Sequence, residues 1–171
     1  MGYITHAQLA ERPGATELAQ VATAERHRVV DSALMEATLL GADRSAWSPE
    51  DVAVADDALQ RIEDAVRDAD ALINGHLRKR GYAVPMNPVP DLVAVWSRDI
   101  ARYLLHKDRI TDEREDPIVR AYRDALKFLK QIVDGSFSLG ADDPVSGSPQ
   151  EIDVRFEGDP SVFSRRNMRH Y

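Results

Sequence analysis

Zinc chemistry needs histidines in pairs, an HExxH run or two imidazoles at i,i+4 with a carboxylate beside them, and this chain spaces its histidines otherwise. His6, His27, His76, His106 and His170 are scattered through the sequence. Asp64, Asp68 and Asp70 form the densest carboxylate group, but arginines alternate with them, which is the pattern of a solvated helix face. Cysteine is absent, which excludes thiolate nucleophiles, cysteine zinc sites and disulfides. The glycines stand singly, so none builds a phosphate-cradling loop. Trp47, Trp96, Tyr103 and Tyr122 are expected as core or interface anchors and not as a base-stacking platform. The residue types therefore predict no catalytic centre, no metal site and no cofactor.

Adhesion is the chemistry that remains. In Ser161 to Tyr171, Phe163, Met168 and Tyr171 interleave with Arg165, Arg166 and Arg169, and no acidic side chain interrupts them. The stretch before it, from Asp134 to Pro160, is acidic with Arg155 its one cation. An apolar, basic peptide on an acidic body is expected to bind a partner's groove or a second copy of itself. The formal charge of −7 and pI near 5.2 argue against a sequence-independent nucleic-acid binder, which would cluster Lys and Arg against phosphates. No apolar run approaches the roughly 20 residues of a membrane span, and no signal peptide is recognisable at Met1-Gly2-Tyr3-Ile4, so a protein made and kept in a cytoplasm is expected.

Helices must position these groups. The longest signal runs from Asp57 to Arg80, where Leu59, Ile62, Val66, Ala69 and Ile73 recur at steps of three and four, acids crowd the start, Arg78, Lys79 and Arg80 the end, and Gly81 stops it. Ser48-Pro49-Glu50-Asp51 is an upstream start signal, for a short helix or one running straight into the long one. Three prolines in Tyr82 to Pro90 then impose an extended connector that reverses the chain. Helices follow from Pro90-Asp91 to about Lys107, with Leu92, Trp96, Ile100, Tyr103 and Leu104 on one face, and from Asp116-Pro117 to Gly135, with Ile118, Tyr122, Leu126, Leu129, Ile132 and Val133. A further helix is expected near Asp31 to Leu40. After Gly135 comes a Gly, Ser, Pro and Asp-rich run, with Ile152, Val154 and Phe156 alternating as in one short strand. The fold class is all-α: a small antiparallel bundle with a long central helix over residues 1–135, then an extended C-terminal arm and docking tail over 136–171.

At the N-terminus, Thr5 caps a short helix through Ala10, Pro13-Gly14 turns the chain, and Thr16 is expected to open a second helix, Leu18 to Ala24. Two helices at a corner invite a second functional reading, a helix-turn-helix-like DNA-binding regulator using residues 3–24. Glu17, Gln20 and Thr23 are poor readers of base edges, so packing onto the core is favoured.

The opening YITHAQLAERPG, the long-helix signature ALQRIEDAVRDADALINGHLRKRGY, the segment PVPDLVAVWSRDIARYLLHKD, DPIVRAYRDALKFLKQI with DGSFSLG behind it, and the closing VFSRRNMRHY together resemble the small head–tail connector (head-completion, or neck adaptor) family of tailed bacteriophages, in its Mu-like branch also found in prophages. Residues 25–56 look like an insertion relative to shorter members. The resemblance implies a structural adaptor in the virion neck: a homo-oligomeric ring, by family expectation a dodecamer, that binds the portal protein and bridges it to stopper or tail-terminator proteins. DNA would pass its channel without specific binding. The docking residues expected are Phe163, Arg165, Arg166, Met168, Arg169 and Tyr171. Assembly in the host cytoplasm is implied, and no membrane is involved.

Overall fold

The computed structural model describes residues 2–140, and its first element opens on a start signal written in the sequence. Thr5 accepts the Gln8 backbone N–H while the Gln8 side chain reaches back to the Thr5 backbone, a reciprocal cap for α1, His6–Leu9. A break follows at Arg12, whose backbone is extended (φ −153°, ψ 120°), before α2, Ala15–Ala22. Gly14, at φ 106°, precedes α2, and the expected cap Thr16 instead lies within its first turn. The corner turns on the glycine's freedom, so the helix starts as soon as it is passed. Helix α3, Ser32–Leu40, is capped by the Asp31 carboxylate, which accepts from the Ala33 and Leu34 N–H groups.

Helix α4 runs unbroken from Pro49 to Arg80, about 48 Å at 1.5 Å per residue. The upstream start signal is therefore that of the long helix itself. Ser48 accepts the Asp51 N–H, and Ala55 and Ala58 continue the buried stripe of Ile62, Ala65, Ala69, Ile73 and Leu77. With no glycine or proline between Asp51 and Asp57, nothing ends the helix there. Helices α5, Asp91–His106, and α6, Pro117–Asp134, follow as the sequence predicts, α6 capped by Asp116 and closed by Gly135. The proline-rich connector reverses the chain and is itself packed: Tyr82 is buried, and Val84 and Met86 lie against the core.

Two apolar cores are threaded on α4. Ala55, Ala58 and Ile62 meet Leu9, Leu18, Leu34 and Met35 from α1 to α3, whereas Ala69, Ile73 and Leu77 meet Val93, Trp96, Ile100, Leu129 and Ile132 from α5 and α6. Alternating alanines on α4 leave room for helices on either side to approach closely. Residues 25–56 supply Val30, Leu34, Met35, Leu39 and Ala55 to the first core, so they are built into the fold. Among the described residues there is no strand, and no helix is long and apolar enough to cross a membrane. The expected strand at 152–156 and the docking tail lie outside the described residues.

Candidate functional site

Phe163, Arg165, Arg166, Met168, Arg169 and Tyr171 lie outside the described residues, but the point from which the chain departs toward them is defined. Gly135 ends α6 at φ 77°, and the Ser136 and Phe137 N–H groups return to the Gln131 carbonyl at 3.0 and 3.2 Å. Phe137 then lays its ring against Trp96 (6.4 Å between centroids, 61°) and Phe128 (5.5 Å, 55°). The Leu139 N–H donates to the Tyr82 hydroxyl at 3.3 Å. Each aromatic contact of this kind adds about 0.5–1.5 kcal/mol beyond its buried area. Residues 136–140, placed with the arm by sequence, thus rest on the bundle, because Phe137 and Leu139 find apolar partners that Gly and Ser neighbours do not reveal.

A polar network joins the N-terminal segment to the bundle. Tyr3 donates its backbone N–H to Asp70 at 2.9 Å and its hydroxyl to Asn74, and that hydroxyl accepts the Met86 N–H at 3.2 Å. The other Asp70 oxygen accepts from Ser97, which is fully buried, at 2.7 Å. Burial chiefly, with the nearby Asp70 charge, pushes the Tyr3 phenol above its ordinary pKa, against the Met86 N–H. Asp70 therefore does not share the solvated face of Asp64 and Asp68. It turns inward as a clamp for three segments, and only the tertiary arrangement reveals its partners.

A third cluster ties α2 to α5. Arg102 donates two bonds to Glu17, at 2.5 and 2.7 Å, and His106 lies 2.9 Å from the same carboxylate. Burial alone would raise the Glu17 pKa, but the bonds from Arg102 and His106 outweigh it and hold the carboxyl below the usual range. Asp99 moves the other way, raised by burial despite Arg98, Arg102 and Arg12 nearby. Glu17, weighed in the sequence as a DNA contact, is spent inside the protein. Helix α2 turns Leu18, Ala19 and Ala22 inward and exposes Thr16 and Gln20, with no cation.

Among the described residues, two clefts stand out on the surface. One, of about 550 Å³, is bordered by Tyr3, His6, Glu63, Asn74 and Pro85; the other, of about 950 Å³, by Arg28, Val29, Trp47, Glu50 and Val54. Neither reaches Glu17 or His106. His6 faces Glu63 at 3.3 Å and His76 packs its ring nitrogen 3.0 Å from the Leu72 carbonyl. Among the described residues no three His, Asp or Glu side chains are placed to hold a metal ion. Trp96 is buried, and Tyr103 stacks on Tyr122 at 4.0 Å and 8°, as expected of anchors.

Comparison with known sequences adds to this geometry. A model of the family described as "Bacteriophage Mu, Gp36" matches residues 3–157. The Mu-like prophage FluMu protein gp36 of Haemophilus influenzae is 31% identical over 142 residues, covering 82% of this chain and 94% of that protein. Gene product J of Escherichia phage Mu is 34% identical over 112 residues, 65% of this chain and 74% of that protein.

Proposed function

The chain belongs to the bacteriophage Mu Gp36 family, and from that premise we propose that it is a structural head–tail connector of a tailed bacteriophage or prophage. Copies assemble as a ring, dodecameric in this reading, in the virion neck, between the portal protein and the stopper or tail-terminator proteins. The helical body supplies shape, and the terminal peptide supplies adhesion, with Phe163, Met168 and Tyr171 as buried anchors and Arg165, Arg166 and Arg169 setting orientation. The protein transforms no substrate. The chain's acidic balance, a formal charge of −7 over its whole length, suits a channel that passes DNA without holding it.

The observation that carries this reading is the anchored departure of the chain. Phe137 and Leu139 are fixed to Trp96, Phe128 and Tyr82 on the end of a rigid bundle, so whatever follows Gly140 starts from a defined place on the body. A clasp is useful only if its base does not wander. Deleting Ser161 to Tyr171 is expected to leave helical content and melting of the body unchanged while heads and tails cease to join. Normal joining by the truncated protein would remove the tail from the mechanism. An image of the intact particle that places the protein away from the portal–tail junction would remove the connector reading itself. A gel shift at modest salt is expected to show no retention of duplex DNA; specific retention would favour the regulator reading.

A further inference from the structure

The larger of the two clefts lies at the end of the molecule where α4 begins. Its floor is apolar: Val30 and Leu34 are buried beneath it, Trp47 and Val54 are half-buried, and Val29 stands 51% exposed. One rim is the loop between α2 and α3. The buried Thr23 hydroxyl donates to the Ala19 carbonyl at 2.6 Å and accepts the Val30 N–H at 3.2 Å, which holds that loop in place with Arg26, Arg28 and Val29 along it. The other rim is the start of α4, with Glu50.

Most of the charge around this cleft is already engaged. Asp31 caps α3, Asp51 accepts from the Ser48 hydroxyl, Asp57 pairs with Arg61, and Arg26 donates to His27. Arg28 and Glu50 differ: among the described residues no hydrogen bond or ion pair engages either side chain. A preformed apolar trough with a cation on one rim and a carboxylate on the other fits a peptide that carries both signs around apolar side chains.

The chain itself contains such a peptide. In Glu151-Ile152-Asp153-Val154-Arg155-Phe156-Glu157, three apolar side chains alternate with three acids and one arginine. Alternate side chains of an extended segment share a side, so Ile152, Val154 and Phe156 can enter the trough while Asp153 and Arg155 stay at its mouth, level with Arg28 and Glu50. The terminal tail, with three arginines and no acid, would set like charge against Arg28. The family match, residues 3–157, takes in this segment and stops short of the tail.

Chain length decides whose cleft is filled. The arm departs at Gly140, beside Tyr82 just past the far end of α4. At 1.5 Å per residue the helix puts about 39 Å between Val54 and Arg80. From Gly140 to Ile152 a fully extended chain reaches about 40 Å, and a polar coil of that length averages roughly 20 Å. A copy's own cleft is therefore at the limit of its arm. We propose that residues 151–157 of one copy dock in this cleft of the next, over Val29, Trp47 and Val54. The contact is head-to-tail, each copy offering one arm and one cleft, which is the interface type that generates rings. This inference rests on the ring reading above and names the surfaces that would build the ring.

The test uses purified full-length protein, whose lack of cysteine makes introduced thiols unambiguous. Association in sedimentation velocity is expected to grow with concentration, and an excess of synthetic peptide of residues 149–159 is expected to reverse it. Val154→Asp with Phe156→Ser in one chain, and Val29→Asp in another, are each expected to weaken association about tenfold or more. Val29→Asp replaces an exposed side chain, so its body is expected to melt as the wild type does. Mixed together, the two chains have one competent arm and one competent cleft between them and are expected to stop at a heterodimer. A Val29→Cys copy mixed with a Val154→Cys copy should give the disulfide-linked pair. Deleting Ser161 to Tyr171 should leave the contact unchanged. Absent association, indifference to the peptide, or loss of the contact with the tail would overturn the proposal. So would a chain carrying both thiols that closes on itself when dilute, which would seat the arm in its own cleft. Contact between purified copies with no protein in the neck refutes only the connector reading. Normal particles assembled from the Val29→Asp chain, with that chain in the neck, refute only this inference.

Discussion

The Tyr82 hydroxyl accepts the Leu139 backbone N–H at 3.3 Å, so the residue just past the end of α4 also fixes where the chain leaves α6. The two are 57 positions apart in sequence. Tyr82 is buried, and its ring belongs to the core shared by α4, α5 and α6.

Tyr82→Phe keeps the ring and removes the acceptor. A loss of about 1 kcal/mol is expected, with faster amide exchange at Leu139 and unchanged exchange within α4. Equal exchange at Leu139 in both proteins would show that the bond does not hold the segment.

Gly135→Ala acts twice. The residue sits at φ 77°, and an added Cβ would lie 2.6 Å from Arg80 Nη1. A destabilisation of about 1–2 kcal/mol is expected from the left-handed backbone alone, with the displaced guanidinium adding to it. In a double-mutant cycle with Arg80→Ala, the paired substitution is expected to cost less than the sum of the two. Strict additivity would show that the arginine moves aside freely.

Glu17 and Asp99 set the acid limb of stability in opposite senses. Glu17 has a depressed folded pKa, so its stabilisation is whole above the unfolded value of about 4.3 and fades as pH falls through the folded one. Asp99 has a raised folded pKa, so its contribution is present below the unfolded value of about 3.9 and is lost as pH rises through the folded one. Glu17→Gln is expected to cost about 1 kcal/mol at neutral pH, the seam being partly solvated, and to flatten the acid limb. Asp99→Asn should steepen it. Melting temperatures from pH 3 to 7 separate the two.

Asp70→Ala is expected to cost about 2–3 kcal/mol, because it leaves the buried Ser97 hydroxyl and the Tyr3 N–H without their acceptor. Asp68→Ala, two positions away and exposed, should change stability by no more than about 0.5 kcal/mol. Equivalent effects would return Asp70 to the solvated face on which sequence spacing placed it.

Ile62→Ala and Ile73→Ala empty fully buried sites in the two separate cores on α4. Each is expected to lower unfolding free energy by about 2–5 kcal/mol. A single cooperative transition in both variants would show that the long helix couples the cores; two transitions would show that it does not.

The amino-acid sequence by itself determined the main helices and most of their ends, though not the start of α2. Ser48, Asp116, Gly81 and Gly135 are local signals whose energy comes from neighbours within a few residues, and the three- and four-residue apolar spacing of α4 to α6 needs no knowledge of a partner. The family was legible for the same reason, since its motifs are strings. Tertiary structure alone decided what polar side chains do. Asp70, Asp64 and Asp68 are alike in type and spacing, yet one is half-buried and bonded to Tyr3 and Ser97, since hydrogen bonds across 67 and 27 positions leave no mark on local periodicity. Glu17 found Arg102 and His106 in the same way, and Phe137 found Trp96 and Phe128. Periodicity states which face of a helix is wet or dry, and only the packing of one helix on another states which groups meet across the seam.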